Sequence, residues 1–400
     1  MKPWFDLARL LFALVVVVDH AVILFWLPTH ADTAINWFPW LNSAAAVSVS
    51  GFFLISGFAI AHSVTPKRRA FSLRLFIANR LARIYPPLIC AVLLALILVW
   101  AIVPSHLETL GDPSGTTGFG VNHYIASALE GGQIRQAFDV LFMRAAPITA
   151  DQTTWALLAP AWTLPYEIIM YTIAGASFRL FQTERTVPTA AAVLLWTMLL
   201  GWIIWVDSPH LYLLSGLWIL GFTLGLGQRT RPVMVLAIVG ILAAFLAPYL
   251  VSSFLATVVG DGPISAGIIA SKLGSPYDES WRLTAGVALL VFGVFFAIGS
   301  LNRTLTTNQG TVARPIVGLV PEFSYSLYIC HFPILLAWGV LQTQTINDSF
   351  TGSLVFVVAT PVFIALVACW AISVAAEQKA LFARGIARMF GIKMPVYHWA

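Results

Sequence analysis

The chain reads Arg9-Leu-Leu-Phe-Ala-Leu-Val-Val-Val-Val-Asp19-His20 within its first long apolar segment. An α-helix turns by about 1100° between Arg9 and His20, so the two side chains point the same way, roughly 16 Å apart along the axis. Ionisable groups inside a membrane span are costly and usually mark a functional interior face. The run therefore predicts a membrane-spanning helix whose polar side faces the interior of the protein.

The composition excludes an ordinary soluble domain. Mean hydropathy is +0.86, 59% of the residues are hydrophobic and only 10% are charged. Apolar windows of about 20 residues recur from end to end, which predicts an all-α polytopic membrane protein. We place ten transmembrane helices near residues 5–27, 43–63, 84–103, 154–177, 188–206, 209–227, 232–256, 284–300, 317–340 and 352–375. The net charge of +5 is explained by topology and does not indicate a nucleic-acid partner.

Basic residues predict the orientation. With the N-terminus in the cytoplasm, eighteen of the 22 lysines and arginines fall on the cytoplasmic side. The other side keeps four, Arg135, Arg144, Lys272 and Arg282. This distribution favours an even number of spans with both termini in the cytoplasm.

The chain has no sign of a soluble domain or a repeat. We expect one ten-helix domain over residues 1–375, a cytoplasmic amphipathic tail over 376–400 and no appended soluble domain. One outer segment, about 104–153, could cover an acceptor site, although a plain connector would look the same. A second, about 257–283, combines acidic residues with Trp281, as carbohydrate sites often do.

The three cysteines, Cys90, Cys330 and Cys369, lie within predicted spans. They imply neither a disulfide framework nor a zinc site, and we expect them to be buried apolar residues. No metal site is predicted.

His20 has two interpretations. It is either a histidine hydrogen-bonded between helices or a neutral imidazole that removes a proton from a hydroxyl. Arg9 on the same face favours the second. Asp19 is adjacent in sequence but about 100° away around the helix, so a loop or another helix is expected to orient His20.

Ser56 and Gly57 lie in a run of small residues in the second span. Small residues let helices approach closely, or they leave room for a long, thin ligand beside the first span. The sequence leaves both explanations open.

Arg80 and Arg83 follow at the start of the third span. Their i, i+3 spacing puts them on one helix face at the membrane entrance, where two guanidinium groups suit a phosphate-bearing cofactor. Positive-inside topology alone explains the neighbouring Lys67, Arg68 and Arg69.

Further polar groups occur in later spans. Glu167 falls near mid-membrane and needs an arginine or histidine partner. Ser324, Tyr328 and His331 share one face of the ninth span. Structural hydrogen bonding explains the serine well, whereas a second intramembrane histidine is harder to explain in that way.

At these residues the chain resembles the acyltransferase-3 family of membrane acyltransferases. The resemblance rests on Arg9-x10-His20, Ser56-Gly57-Phe58, Arg80-x2-Arg83 with the following Ile-Tyr-Pro, Trp162 to Glu167, and Ser-Tyr-Ser-Leu-Tyr-x2-His ending at His331. The motifs occur in this order along a chain with ten predicted spans. The resemblance covers nearly the whole chain. The Pro165-Tyr166 pair before Glu167 departs from the family pattern.

The resemblance implies O-acetylation of bacterial surface carbohydrates, with acetyl-CoA as the cytoplasmic donor and an acceptor across the inner membrane. It assigns the catalytic role to His20, and it assigns donor binding to Arg9, Arg80 and Arg83. Beside these we expect Glu167 and His331 in the catalytic set. Ser56, Gly57 and Tyr328 are expected along the donor path.

Two questions stay open at the level of sequence. Direct transfer with His20 as base competes with an acyl-His20 intermediate. A proton-coupled transporter or flippase would also use intramembrane His, Glu and Arg, although no pair of broken helices at matching positions favours it.

Overall fold

A computed structural model describes most of the predicted spans as helices. The described residues are 3–28, 38–64, 72–106, 120–129, 132–143, 156–182, 209–226, 314–342, 354–389 and 391. Within these ranges the secondary structure is entirely helical, which confirms the all-α class. The predicted spans near 188–206, 232–256 and 284–300, and the outer segment 257–283, lie outside the described residues.

Ten α-helices are described. They are α1 Pro3–Ala21, α2 Phe38–Val64, α3 Leu73–Ile97, α4 Val121–Leu129, α5 Gln133–Leu141, α6 Leu164–Gln182, α7 Pro209–Leu226, α8 Arg314–Leu341, α9 Leu354–Ala376 and α10 Lys379–Met389. Short π-helical turns extend α1 over Val22–Trp26 and α3 over Leu98–Ile102. A 3₁₀ segment, Ala156–Thr163, leads into α6.

Among the described residues, five stretches are long and apolar enough to cross a membrane. They are Leu7–Trp26, Ala44–Ala61, Leu73–His106, Phe323–Leu341 and Phe356–Ile386. These overlap the first, second, third, ninth and tenth predicted spans, although the third stretch begins before residue 84 and the last runs past residue 375. Helices α6 and α7 occupy the positions of the fourth and sixth predicted spans.

Helix α8 lies at the centre of the described bundle, where it packs against α1, α3 and α9. Leu327, Ile329, Phe332 and Leu335 on α8 have no exposed surface. Lower on the helix, Ser324 shares a cavity with Arg9 of α1, and higher up His331 contacts His20. The two helices therefore run in the same direction.

Small residues bring α2 and α7 into close contact. A Cβ atom added at Gly57 would lie 2.0 Å from the Trp218 carbonyl oxygen, and one at Gly221 would lie 1.9 Å from that of Leu54. Backbone therefore meets backbone at this crossing, as small residues in membrane helices allow. Gly57 faces α7.

Helix α3 brings the arginine pair into the bundle. Ser72 caps it, with the hydroxyl accepting from the Leu75 N–H at 3.4 Å. Pro86 and Pro87 follow the arginine pair, and the Pro87 carbonyl accepts from the Cys330 thiol at 3.5 Å. This contact holds α3 against α8. Helix α10 packs along α3 and exposes Leu381 and Met389, as an amphipathic surface helix does.

Candidate active site

Two histidines from different helices meet in the interior of the bundle. His20 Nδ1 lies 2.8 Å from His331 Nε2, and the ring planes are only 15° apart. His331 is fully buried, and its Nδ1 lies 2.9 Å from the Leu327 carbonyl oxygen. The expectation that another helix orients His20 is met by α8.

The hydrogen-bond chain determines which nitrogen carries each proton when both rings are neutral. A carbonyl oxygen only accepts, so His331 Nδ1 must carry the proton and donate it to Leu327. His331 Nε2 is then an acceptor, and His20 Nδ1 donates to it. The lone pair of His20 is thereby placed on Nε2, the atom that a general base or a nucleophile would use.

Aromatic rings surround this pair. The Phe332 ring meets His20 edge to face with centroids 5.0 Å apart, and Tyr124 of α4 packs on Phe332 at 5.1 Å. Helix α4 belongs to the predicted outer segment 104–153. Only the Phe332 side chain therefore separates Tyr124 of that segment from His20. Immediately after His20, the helix widens into the π-helical turn Val22–Trp26, a distortion that is frequent at functional sites.

A cavity lies below the histidine pair, between α1, α2, α3, α6 and α8. It encloses ≈ 540 Å³ of space, part of it open. Five of the sequence-predicted residues line it, namely Arg9, Ser56, Arg83, Glu167 and Tyr328. Phe52 and Phe53 of α2 form part of its apolar wall. Polar and charged groups from five separate helices thus converge on one space, which suits an elongated polar ligand.

Glu167 is held by hydroxyl groups and by the arginines. Its Oε1 accepts a hydrogen bond from Ser56 Oγ at 3.1 Å and another from the Tyr171 hydroxyl. It also interacts electrostatically with Arg80 and Arg83. Two arginines thus attract this half-buried carboxylate, which lowers the cost of placing its charge inside the bundle.

The two α3 arginines are supported by aromatic faces. The Arg83 guanidinium lies over the Tyr325 ring at 5.9 Å and reaches the cavity wall. The Arg80 guanidinium lies 5.5 Å from the Tyr171 ring and 5.4 Å from that of Phe76. Stacking of this kind leaves the N–H groups of an arginine directed sideways, where they can bind an anion.

Tyr328 is anchored through Thr163. The two hydroxyl oxygens are 3.1 Å apart, and Thr163 Oγ1 donates to the Pro160 carbonyl oxygen at 3.3 Å. With the threonine proton engaged in this way, Tyr328 donates to Thr163. On α8, Tyr328 is one turn below His331, so this hydroxyl lies between the cavity and the histidine pair.

The structure does not bring every predicted residue to this site. Gly57 packs against α7 and is absent from the cavity lining, whereas its neighbour Ser56 is part of it. Asp19 is buried, and its Oδ1 accepts no hydrogen bond from the described residues. Among those residues there is no group of His, Cys, Asp and Glu side chains suited to a metal ion.

Sequence reasoning missed Thr163, Tyr171, Tyr325 and Glu377. Tyr171 follows Glu167 by four residues, a spacing that places both on one helix face and offered a usable signal. Glu377 offered none, because its contact with Ser326 joins residues 51 positions apart.

Comparisons with known proteins show what the chain is similar to. Residues 2–374 match the family described as "Acyltransferase domain". An O-acetyl transferase of Shigella phage Sf6 is 29% identical over 180 residues, which is 43% of this chain and 45% of the phage protein. Exopolysaccharide production protein ExoZ of Rhizobium meliloti is 27% identical over 296 residues, 72% of this chain and 75% of the relative. The chain thus spans less than half of the first relative. No solved structure matches it.

Proposed function

Because this chain belongs to the acyltransferase family whose domain it matches over residues 2–374, we propose that it is a membrane O-acetyltransferase. In this proposal the acetyl group passes from cytoplasmic acetyl-CoA to a hydroxyl group of a carbohydrate on the opposite side of the membrane. Both relatives lend support, since one is named an O-acetyl transferase and the other an exopolysaccharide production protein.

The proposed topology has ten transmembrane helices over residues 1–375, a cytoplasmic tail over 376–400 and both termini in the cytoplasm of a bacterial cell. The distribution of basic residues supports this topology. The parallel course of α1 and α8 also supports it. Two spans that run in the same direction are separated by an odd number of other spans, and seven lie between the first and the ninth predicted span. The inner membrane follows from the need for cytoplasmic acetyl-CoA.

The donor is proposed to bind in the cavity below the histidine pair. Arg83 and Arg80 hold phosphate groups of CoA at the cytoplasmic end of α3, and Arg9 holds a further polar group along the path. The pantetheine arm then runs between α1 and α2, past Ser56 and Tyr328, and brings the thioester to His20. The mixed polar and aromatic walls of the cavity support this placement.

In the proposed reaction His20 Nε2 accepts the proton of the acceptor hydroxyl as the oxygen attacks the acyl carbon. The C–S bond breaks, and the CoA thiolate takes the proton back from the imidazolium, which leaves an O-acetyl ester and CoA. His331 stabilises the imidazolium by accepting from Nδ1–H. The Tyr328 hydroxyl rotates its proton away from Thr163 and donates it to the developing oxyanion.

An acyl-His20 intermediate is the alternative course. The same Nε2 lone pair would attack the thioester first, and the acceptor hydroxyl would then attack the acyl-imidazole. Mass spectrometry of the His20 peptide after incubation with acetyl-CoA alone distinguishes the two courses, because only the second leaves an acetylated histidine in the absence of acceptor.

The hydrogen-bonded histidine pair is the observation that carries this proposal. Mass spectrometry of surface glycans from cells with and without the gene tests it and also identifies the acceptor. Cells that express His20→Ala at normal levels should lack the same acetyl groups as the deletion strain. Normal acetylation in those cells would overturn the assignment of His20.

A further inference from the structure

We propose that Glu377 is a positioning residue for donor binding, which holds Arg83 and its supporting turn of α8 in place at the cavity. This inference rests on the proposed donor site. Glu377 lies in the turn between α9 and α10 and is only 3% exposed. A carboxylate this deeply buried is expensive unless it is paired and hydrogen-bonded, so its surroundings indicate what it stabilises.

The first contact of Glu377 is with the backbone of α8. Its Oε1 accepts a hydrogen bond from the Ser326 N–H at 2.8 Å, and Ser326 is itself fully buried. Ser326 sits between Ser324 and Tyr325 on one side and Tyr328 on the other, and these three residues line the cavity. A charged acceptor on a backbone N–H is a strong hydrogen bond, so Glu377 fixes the turn of α8 that forms this wall.

The turn that Glu377 fixes also supports Arg83. The Arg83 guanidinium rests on the Tyr325 ring, and Tyr325 is next to the residue whose N–H binds Glu377. The negative charges of Glu377 and Glu167 both attract this guanidinium. Glu377 thus holds the aromatic ring beneath Arg83, and its charge adds to that effect.

The consequence concerns how the donor site is organised. Arg83 rests on the Tyr325 ring, and Glu377 fixes the turn of α8 that carries this ring. A fixed support of this kind restricts a long side chain and reduces the ordering that binding requires. Because Glu377 belongs to the turn before α10, and α10 packs on the helix that carries Arg83, the C-terminal segment becomes part of the donor site.

The test is the affinity of the full-length protein in lipid nanodiscs for CoA, measured by isothermal titration calorimetry. Glu377→Gln keeps the shape and an acceptor oxygen but removes the charge. It should weaken CoA binding about tenfold, within the range found for directly coupled neighbours. The matched control is Gln378→Ala at the exposed neighbouring position, which should bind CoA like the wild type.

A double-mutant cycle with Arg83→Gln separates positioning from a general structural role. If Glu377 acts through Arg83, adding Glu377→Gln to the Arg83 variant should cause little further loss of CoA affinity. Wild-type affinity in Glu377→Gln, beside a clear loss in Arg83→Gln, would overturn this inference and leave the donor site intact. Wild-type affinity in Arg83→Gln would overturn the proposed donor site itself.

A second variant covers the case in which Glu377→Gln does not fold. Glu377→Asp keeps the charge but withdraws it by about one bond length, so the hydrogen bond and the attraction to Arg83 both weaken. It should lose CoA affinity several-fold. Unchanged affinity in Glu377→Asp would then contradict the positioning role.

Discussion

His20 Nδ1 and His331 Nε2 lie 2.8 Å apart although 311 positions separate the two residues in the chain. The contact joins the first described helix to the ninth predicted span and defines the protonation of both rings. A hydrogen bond from Nδ1 leaves the lone pair of His20 on Nε2, where the proposed chemistry takes place.

Replacement of His331 should impair the chemical step and spare donor binding. His331→Ala removes the acceptor for His20 Nδ1–H, so the ring loses its orientation and the imidazolium its stabilisation. We expect the transfer rate to fall about 100-fold or more, as for the loss of the orienting group in other base-assisted acyl transfers. The rate of labelled acetyl incorporation into glycan in isolated membranes, beside CoA affinity, provides the measurement.

Two further variants make this result specific. His331→Gln returns an acceptor oxygen near the position of Nε2 and should recover part of the rate. His106→Ala, on the 3₁₀ turn after α3, controls for the loss of a histidine and should transfer at the wild-type rate. A folded His331→Ala protein with wild-type activity would show that the pair has no catalytic role.

Removal of Arg83 should weaken donor binding at least tenfold. Its guanidinium lines the cavity, and charge-assisted hydrogen bonds to phosphate contribute about 1.5–3 kcal/mol. Arg74→Ala on the same helix is the matched control, because Arg74 is exposed and lies outside the cavity. CoA titrations of both variants give the comparison. Equal losses in the two variants would mean that general surface charge, and not a defined site, attracts the donor.

Tyr328→Phe should lower the turnover number about 10- to 100-fold and change CoA affinity little, since an oxyanion donor acts mainly in the transition state. Thr163→Val, which removes the partner of the Tyr328 hydroxyl, should have a smaller effect of the same kind. Tyr85→Phe is the control for loss of a half-buried phenol. If CoA affinity falls in Tyr328→Phe while turnover stays constant, the hydroxyl binds the donor and not the oxyanion.

Gly57→Ala should destabilise the protein without a specific loss of donor affinity. The added methyl group would meet the Trp218 carbonyl oxygen of α7, and overpacking of this kind costs about 1–3 kcal/mol. Gly385→Ala on α10 is the control, since an added Cβ there meets nothing within 4 Å. Thermal unfolding in detergent compares the two. A Gly57→Ala protein of wild-type stability that fails to bind CoA would restore the donor-path role expected from the sequence.

Much of the site was predictable because helices impose a fixed periodicity. Arg9 and His20 point the same way for any straight helix, and Arg80 with Arg83, or Tyr328 with His331, follow from i, i+3 spacing. Hydropathy and charge likewise predict spans whose positions agree with the described helices. Tyr171 also belongs to this class, although its relation to Glu167 went unnoticed.

Contacts between helices were not predictable in this way. Periodicity determines the direction in which a side chain points but not which helix lies there. Gly57 illustrates the limit, because its motif fits both close packing and a ligand path, and the position of α7 places it in a helix crossing. Glu377 is a second case, since no local pattern connects a turn after α9 with a backbone N–H in α8.

The sequence by itself determined the membrane class, the helical periodicity and the polar faces, because these depend on hydrophobic transfer energies and on backbone geometry, which are local properties. Only the tertiary structure decided that His331 is the partner of His20, that five helices share one cavity and that the Glu377 side chain binds the turn of α8 beneath Arg83. These relations depend on which helices become neighbours, and that choice is made by packing over the whole bundle.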